Sequence, residues 1–291
     1  MFTLSTDTSC DIFRNELKLA GIEYRPLVYT IDDVPYFDEF TADADYKAFY
    51  DLIRAGKMPT TSQINIAEHE EFFGMLAKKY DGDILHITLS SGLSSTYSCA
   101  CTAAETVNAE LGAKRVYVVD SLGATITVRH VVDEAIRLRD EGVSAADAAE
   151  RLKEFAFRLH TWFMPTDLMH LKRGGRVSSV AAIAGTMLGI KPILSFTSEG
   201  KLNVIDKVRG MKRAFSYALD KMDKFPPVKE NPVIWVVHTD AEAEANELAA
   251  LVEAKCGIKP DVTIMGPVIG SHVGPGAVAV LWKSDEVRQD G

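Results

Sequence analysis

The sequence predicts a two-domain α/β protein: an N-terminal, Rossmann-like domain on a parallel sheet over residues 1–160, and a C-terminal α/β domain with a mixed, partly antiparallel sheet over residues 161–291. Three observations predict it. In the first half, short runs of branched and aromatic residues alternate with longer runs at helical period, the pattern of a parallel sheet covered on both faces. In the second half, strand-like pieces follow one another through short turns, so antiparallel pairing enters. At 291 residues the chain is also long for one compact domain and comfortable as two.

The elements follow in order. FTLST (2–6), EYRPLVYTI (23–31), DILHITL (83–89) and KRVYVVD (114–120) read as strands. DYKAFYDLIRAG (45–56), EHEEFFGMLAKKY (68–80), TYSCACTAAETVNAELG (96–112) and ATITVRHVVDEAIRLRDEG (124–142) read as helices. A further helix over 144–160 has Ser144 as its N-cap, with Ala148, Leu152, Phe155 and Leu159 at helical spacing. Past a boundary near residue 160, TWFMP, KPILSFTSEGKLNVIDK and VTIMGPVIG read as strand-like, and SEG (198–200) joins 191–197 to 201–207 as a hairpin. Helices over 166–172, 178–189, 209–224 and 241–255 cover this second sheet. Within 178–189, Val180, Ile183, Ala184, Met187 and Leu188 keep helical spacing and read as core or lining. Two closely packed halves leave a crevice between them.

Composition narrows the function. Lys and Arg number 32 against 41 Asp and Glu, a net charge of −9 that is the wrong sign for a protein drawing its affinity from nucleic-acid phosphates. Cys10, Cys99, Cys101 and Cys256 show no CxxC spacing and read as small buried side chains in a reducing compartment, with no metal site. MFTLSTDTSCD lacks the basic region of a signal peptide, and no apolar stretch approaches the roughly 18 residues of a membrane helix, so a bacterial, cytoplasmic protein is expected. No GxxxxGK[ST] loop and no GxGxxG after a strand is present, so no nucleotide cofactor is expected by those routes.

Hydroxyl-bearing loops concentrate at predicted strand ends, where a parallel sheet puts its ligands. TDTSCD (6–11) follows the first strand, TTSQ (60–63) lies in a turn before a helix, LSSGLSST (89–96) follows the third strand and DSLGAT (120–125) the fourth. Several hydroxyls beside free helix N–H groups suit a carboxylate or phosphate. Helix capping accounts for any one loop alone, but Ser91 and Ser94 together exceed what one cap needs. His272 sits in the glycine- and proline-dense GPVIGSHVGPGA (266–277), an arrangement costly to order unless it builds something. The other histidines, at 69, 86, 130, 160, 170 and 238, read as structural or surface groups. LKRGGR (171–176) is a basic turn that is either solvated or able to bind an anion or an acidic partner.

Taken in order, TDTSCDI, PTTSQ, LSSGLSSTY, Asp120–Ser121, LKRGGRVSS with GIKPIL, KVRGMKRA and GSHVGPGA resemble the DegV family, the bacterial fatty-acid-binding proteins that serve a fatty-acid kinase. The resemblance implies one long-chain fatty acid in a buried tunnel between the domains. Its carboxylate would be held by Thr61, Ser62, Ser91, Ser94 and His272, with Arg176 and Arg209 near the head group and the kinase-facing surface. It implies a lipid carrier with no catalysis of its own, the kinase as partner, and room for transient contact with a membrane surface. Phe163, Ile183 and Met187 are residues of the sort that line such a tunnel. Ile64 stands where the family usually has proline, and Ser95 where it usually has glycine. The alternative is a serine hydrolase, with Ser91 or Ser94 as nucleophile, His272 as base and Asp7 or Asp120 orienting it. No serine lies in a GxSxG elbow, and several equivalent hydroxyls suit binding better than attack.

Overall fold

The computed structural model describes residues 1–177 and 189–289. The first half runs β1 (Thr3–Asp7), α1 (Arg14–Leu19), β2 (Glu23–Arg25), β3 (Val28–Ile31), β4 (Val34–Phe37), α2 (Tyr46–Arg54), β5 (Thr60–Ser62), α3 (Ile66–Lys79), β6 (Ile84–Thr88), α4 (Thr96–Leu111), β7 (Val116–Asp120), α5 (Ile126–Asp140) and α6 (Ala145–Ala156). The second half runs β8 (Leu159–Met164), α7 (Met169–Gly174), β9 (Ile190–Phe196), β10 (Leu202–Arg209), α8 (Met211–Lys224), β11 (Ile234–His238), α9 (Glu242–Cys256), β12 (Asp261–Ile264), α10 (Pro267–Val273) and β13 (Val278–Lys283). The expected helix over 178–189, with Ile183 and Met187, lies outside the described residues except for Gly189.

A four-stranded sheet of order β2-β1-β6-β7 is parallel throughout. Every residue of β6, ILHIT, is buried, as a strand covered on both faces requires. The strand order reverses between β1 and β6, and the loops after them, TDTSCD and LSSGLSS, are tied together where the Leu89 N–H donates to Asp7 at 3.2 Å. The second sheet has six strands in the order β10-β9-β8-β13-β11-β12, antiparallel except for β11 with β12. Its period-2 alternation sorts two cores. Trp162, Val278, Val280 and Trp282 face α8 and α9, whereas Phe163, Ala279 and Leu281 face the first half.

Between the sheets lies α5. Ile126 through Val132 are all buried, Arg129 and His130 included, and one apolar cluster runs from Leu4 and Ile87 through Val128 and Val131 to Phe163, Leu194 and Leu281. A hydrogen bond between the Thr127 and Thr161 hydroxyls, at 2.9 Å, links this helix to β8. Among the described residues no helix is long and apolar enough to cross a membrane.

Several expectations need correction. The single strand over 23–31 is two: Pro26 has no N–H to continue the ladder, and the chain leaves the parallel sheet to form a separate three-stranded antiparallel sheet, β4-β3-β5. Asp32 and Asp33, at φ of 50° and 63°, make the tight turn from β3 to β4 that glycine or asparagine more often makes. TTSQ is therefore an edge strand paired with β3, not a turn. GPVIG is the start of α10 rather than strand, with Pro267 in its first turn, where a missing N–H loses nothing. β11, β13 and α1 went unrecognised by pattern. The β9–β10 hairpin, with a bulge between Val204 and Asp206, agrees with the sequence reading.

Candidate functional site

An apolar slot enclosing about 830 Å³ of atom-free space, part of it open to solvent, runs between the two halves. Leu27, Leu89, Phe163, Phe196, Met265 and Val268 are among its walls. Its polar residues Thr61, Ser62, Gln63, Ser94 and Arg176 also line an adjoining, more open depression that includes Ser91, so this end is the mouth.

At the mouth, Thr61 of β5 and His272 of α10 meet: the threonine Oγ1 lies 2.7 Å from His272 Nε2. The imidazole's other face rests on the end of α7, where a Cβ on Gly174 would fall 2.4 Å from Nδ1. Burial first, and the Arg176 charge second, push the His272 pKa down to about 4, so the ring is neutral at pH 7. A neutral ring offers one donor and one acceptor. The Arg176 Nε donates to the Leu93 carbonyl at 3.4 Å and Nη1 to the Gly174 carbonyl, joining the loop after β6 to the end of α7. The Ser94 hydroxyl accepts from the Thr96 N–H at 3.2 Å and lies 2.9 Å from the Thr96 hydroxyl, at the start of α4.

The hydroxyls of LSSGLSS divide their work. Ser90 is buried and donates to the Gly200 carbonyl at the β9–β10 hairpin tip, 2.8 Å away. Gly92 admits the same tip, since a Cβ there would fall 2.6 Å from the Glu199 carbonyl oxygen. Ser91 and Ser94 are left at the mouth. Of the remaining candidates, Ser62 is exposed at the mouth, whereas Arg209 is exposed at the end of β10 and lines neither the slot nor the mouth. The structure thus brings Thr61, Ser62, Ser91, Ser94, Arg176 and His272 together and leaves Arg209 out.

What seats α10 is a pair of carboxylates from the other half. Asp11 accepts from the Gly266 N–H at 3.0 Å and Asp38 from the Val268 N–H at 3.1 Å, occupying donors that a helix start leaves free. Burial pushes Asp38 up to about 7 and Asp11 well above the usual carboxylate range. Tyr50 completes the seat: its hydroxyl donates to the Met265 carbonyl at 2.7 Å, and Gly270 packs directly on its ring. Asp11 was visible within TDTSCD; Asp38, on the three-stranded sheet's far side in sequence, carried no local signal.

The two carboxylates that a hydrolase would need beside His272 are engaged elsewhere among the described residues. Asp7 accepts from the N–H groups of Ser9 and Leu89, at 2.9 and 3.2 Å, and from the Ser9 hydroxyl. Asp120 accepts from the N–H groups of Ser91 and Leu122, at 3.2 and 2.9 Å. Neither orients His272, whose hydrogen-bond partner is Thr61. Among the described residues no group of three or more His, Cys, Asp or Glu is placed to hold a metal ion.

The chain is thus an α/β protein of three sheets, with an apolar slot between its halves that ends at a mouth of hydroxyls and a histidine. The family model described as "uncharacterised protein, DegV family" matches residues 1–285, and the chain belongs to the DegV family. A DegV domain-containing protein of Clostridium perfringens is 32% identical over 286 residues, 98% of each chain. Among solved structures, a DegV lipid-binding protein from Thermotoga maritima superposes with a TM-score of 0.85 at 27% identity, over 99% of this chain and 100% of that one. DegV of Bacillus subtilis, described as a fatty-acid-binding protein, superposes with a TM-score of 0.82 at 29% identity, over 98% and 99%.

Proposed function

We propose that the chain binds a single long-chain fatty acid in the slot, with its carboxylate at the mouth against Thr61, Ser62, Ser94 and His272, Ser91 and Arg176 standing beside it. The observation that carries the reading is the slot itself: apolar walls ending at a 2.7 Å threonine–histidine contact whose imidazole is neutral and able to donate. The likeness to the fatty-acid-binding DegV of Bacillus subtilis supports it. Burying an alkyl chain contributes about 0.8 kcal/mol per methylene, so roughly 16 carbons supply about 10 kcal/mol before association costs are subtracted. The tail then supplies most of the affinity, and the head-group contacts fix position. The two halves, divided near residue 160, act as the slot's two jaws. An open mouth suits a carrier that presents the carboxylate to a fatty-acid kinase, which phosphorylates it to an acyl phosphate.

Native mass spectrometry of protein purified from a bacterial host tests the first step. The expected result is an added mass equal to one free fatty acid, with no turnover of short esters; saturable ester hydrolysis abolished by Ser91→Ala overturns it. With a fatty-acid kinase and ATP added, His272→Ala should cut acyl phosphate formation more than lipid retention, and equal loss of both contradicts the division between head and tail.

A further inference from the structure

Thr125 holds an unspent hydroxyl. It is 5% exposed and lines the slot, away from the residues that the mouth shares. Among the described residues its Oγ1 makes no hydrogen bond, neither as a cap on α5 nor to any neighbour, whereas its N–H is taken by the Ser9 carbonyl at 2.8 Å. Its backbone lies at φ 55° and ψ −126°, a region that a β-branched residue enters only under strain, and such strain gathers at ligand sites. Ala124 on one side also lines the slot. Thr161, on β8, adds a second hydroxyl to the slot's lining; it shares a hydrogen bond with Thr127, which leaves a donor or acceptor position over.

A plain alkyl chain in the slot would strip water from the Thr125 hydroxyl and return nothing, whereas a chain carrying its own oxygen would pair with it. Resting on the fatty-acid reading, we infer that the slot is selective for an acyl chain bearing a hydroxyl group along its length, and that Thr125, with Thr161 as a second lining hydroxyl, reads that hydroxyl. Neither residue lines the mouth that Thr61, Ser62, Ser94 and Arg176 share, so the recognised oxygen is on the chain rather than on the carboxylate.

The test is competition against a fluorescent fatty acid on delipidated, full-length protein, comparing octadecanoic acid with octadecanoic acids hydroxylated near the head, at mid-chain and near the tail. One hydroxylated isomer should bind the wild type about tenfold more tightly than the plain acid, the size of one buried hydrogen bond. Thr125→Val, which keeps the branched shape and so the backbone, should abolish that preference without weakening octadecanoic acid; Thr125→Ser should retain it. If no isomer is preferred, or if Thr125→Val weakens plain and hydroxylated acids alike, the inference is overturned while fatty-acid binding stands. If no acid of either kind binds the wild type, the proposed function falls, and this inference with it.

Discussion

Replacing Asp38 with asparagine should change how stability depends on pH. Two effects compete at this carboxyl, which is 3% exposed: removal from water disfavours its charge, whereas the start of α10 and the Val268 N–H favour it. A helix start contributes at most about 2 kcal/mol. Desolvation wins, and the carboxyl rises from 3.8 to about 7. A group whose proton is held more tightly when folded adds stability that is present below its unfolded value and lost as pH climbs through its folded one. At about 1.4 kcal/mol per tenfold change in proton affinity, the wild type should lose about 4 kcal/mol relative to Asp38→Asn between pH 4 and pH 8. The amide sacrifices one acceptor, an offset that does not vary with pH. Urea unfolding of both proteins at half-unit pH steps measures the difference. A flat difference, or a wild type that gains on the variant as pH rises, would refute the claim that desolvation outweighs the helix start.

Two further outcomes follow from the same seat. Gly270→Ala puts a Cβ 2.4 Å from the Tyr50 hydroxyl, so α10 must shift; fatty-acid affinity should fall at least tenfold by fluorescence competition, and Tyr50→Phe in the same chain should restore part of it. His272, pushed down to about 4, should show no titration by NMR of its Cε1–H between pH 8 and pH 5.5, and a midpoint near 6.5 would contradict its burial. The depressed value also means that its contribution to stability is present above 6.5 and lost as pH falls toward 4.

Much of this architecture was legible because local pattern and fold agreed. β6 is apolar at every position because both its faces are covered, and β9 and β10 announce their hairpin through Ser198–Gly200. Among the head-group candidates, His272 and the serines stood out as an excess of chemistry over what caps require. The misreadings share one cause, a tertiary demand without a local signature. GPVIG has the apolar look of a strand, yet becomes helix because Asp11 and Asp38 hold its first N–H groups. Asp32 and Asp33 turn the chain without glycine, which hid β4. Leu27, Phe196 and Met265 become slot lining only through the packing of distant segments, and the unpaired hydroxyl of Thr125 depends on a backbone angle that residue type does not foretell.

The walls of the slot come from nearly the full length of the chain, from Leu27 through Leu89 and Phe163 to Met265, His272 and Ala279. Such non-local contacts form late in folding. During synthesis the greasy surfaces of Leu89 and Phe163 must leave the ribosome well before α10 and β13 exist to cover them. A growing polypeptide therefore has one apolar side of its pouch but no clasp, and the slot is complete only after the last few dozen residues have emerged.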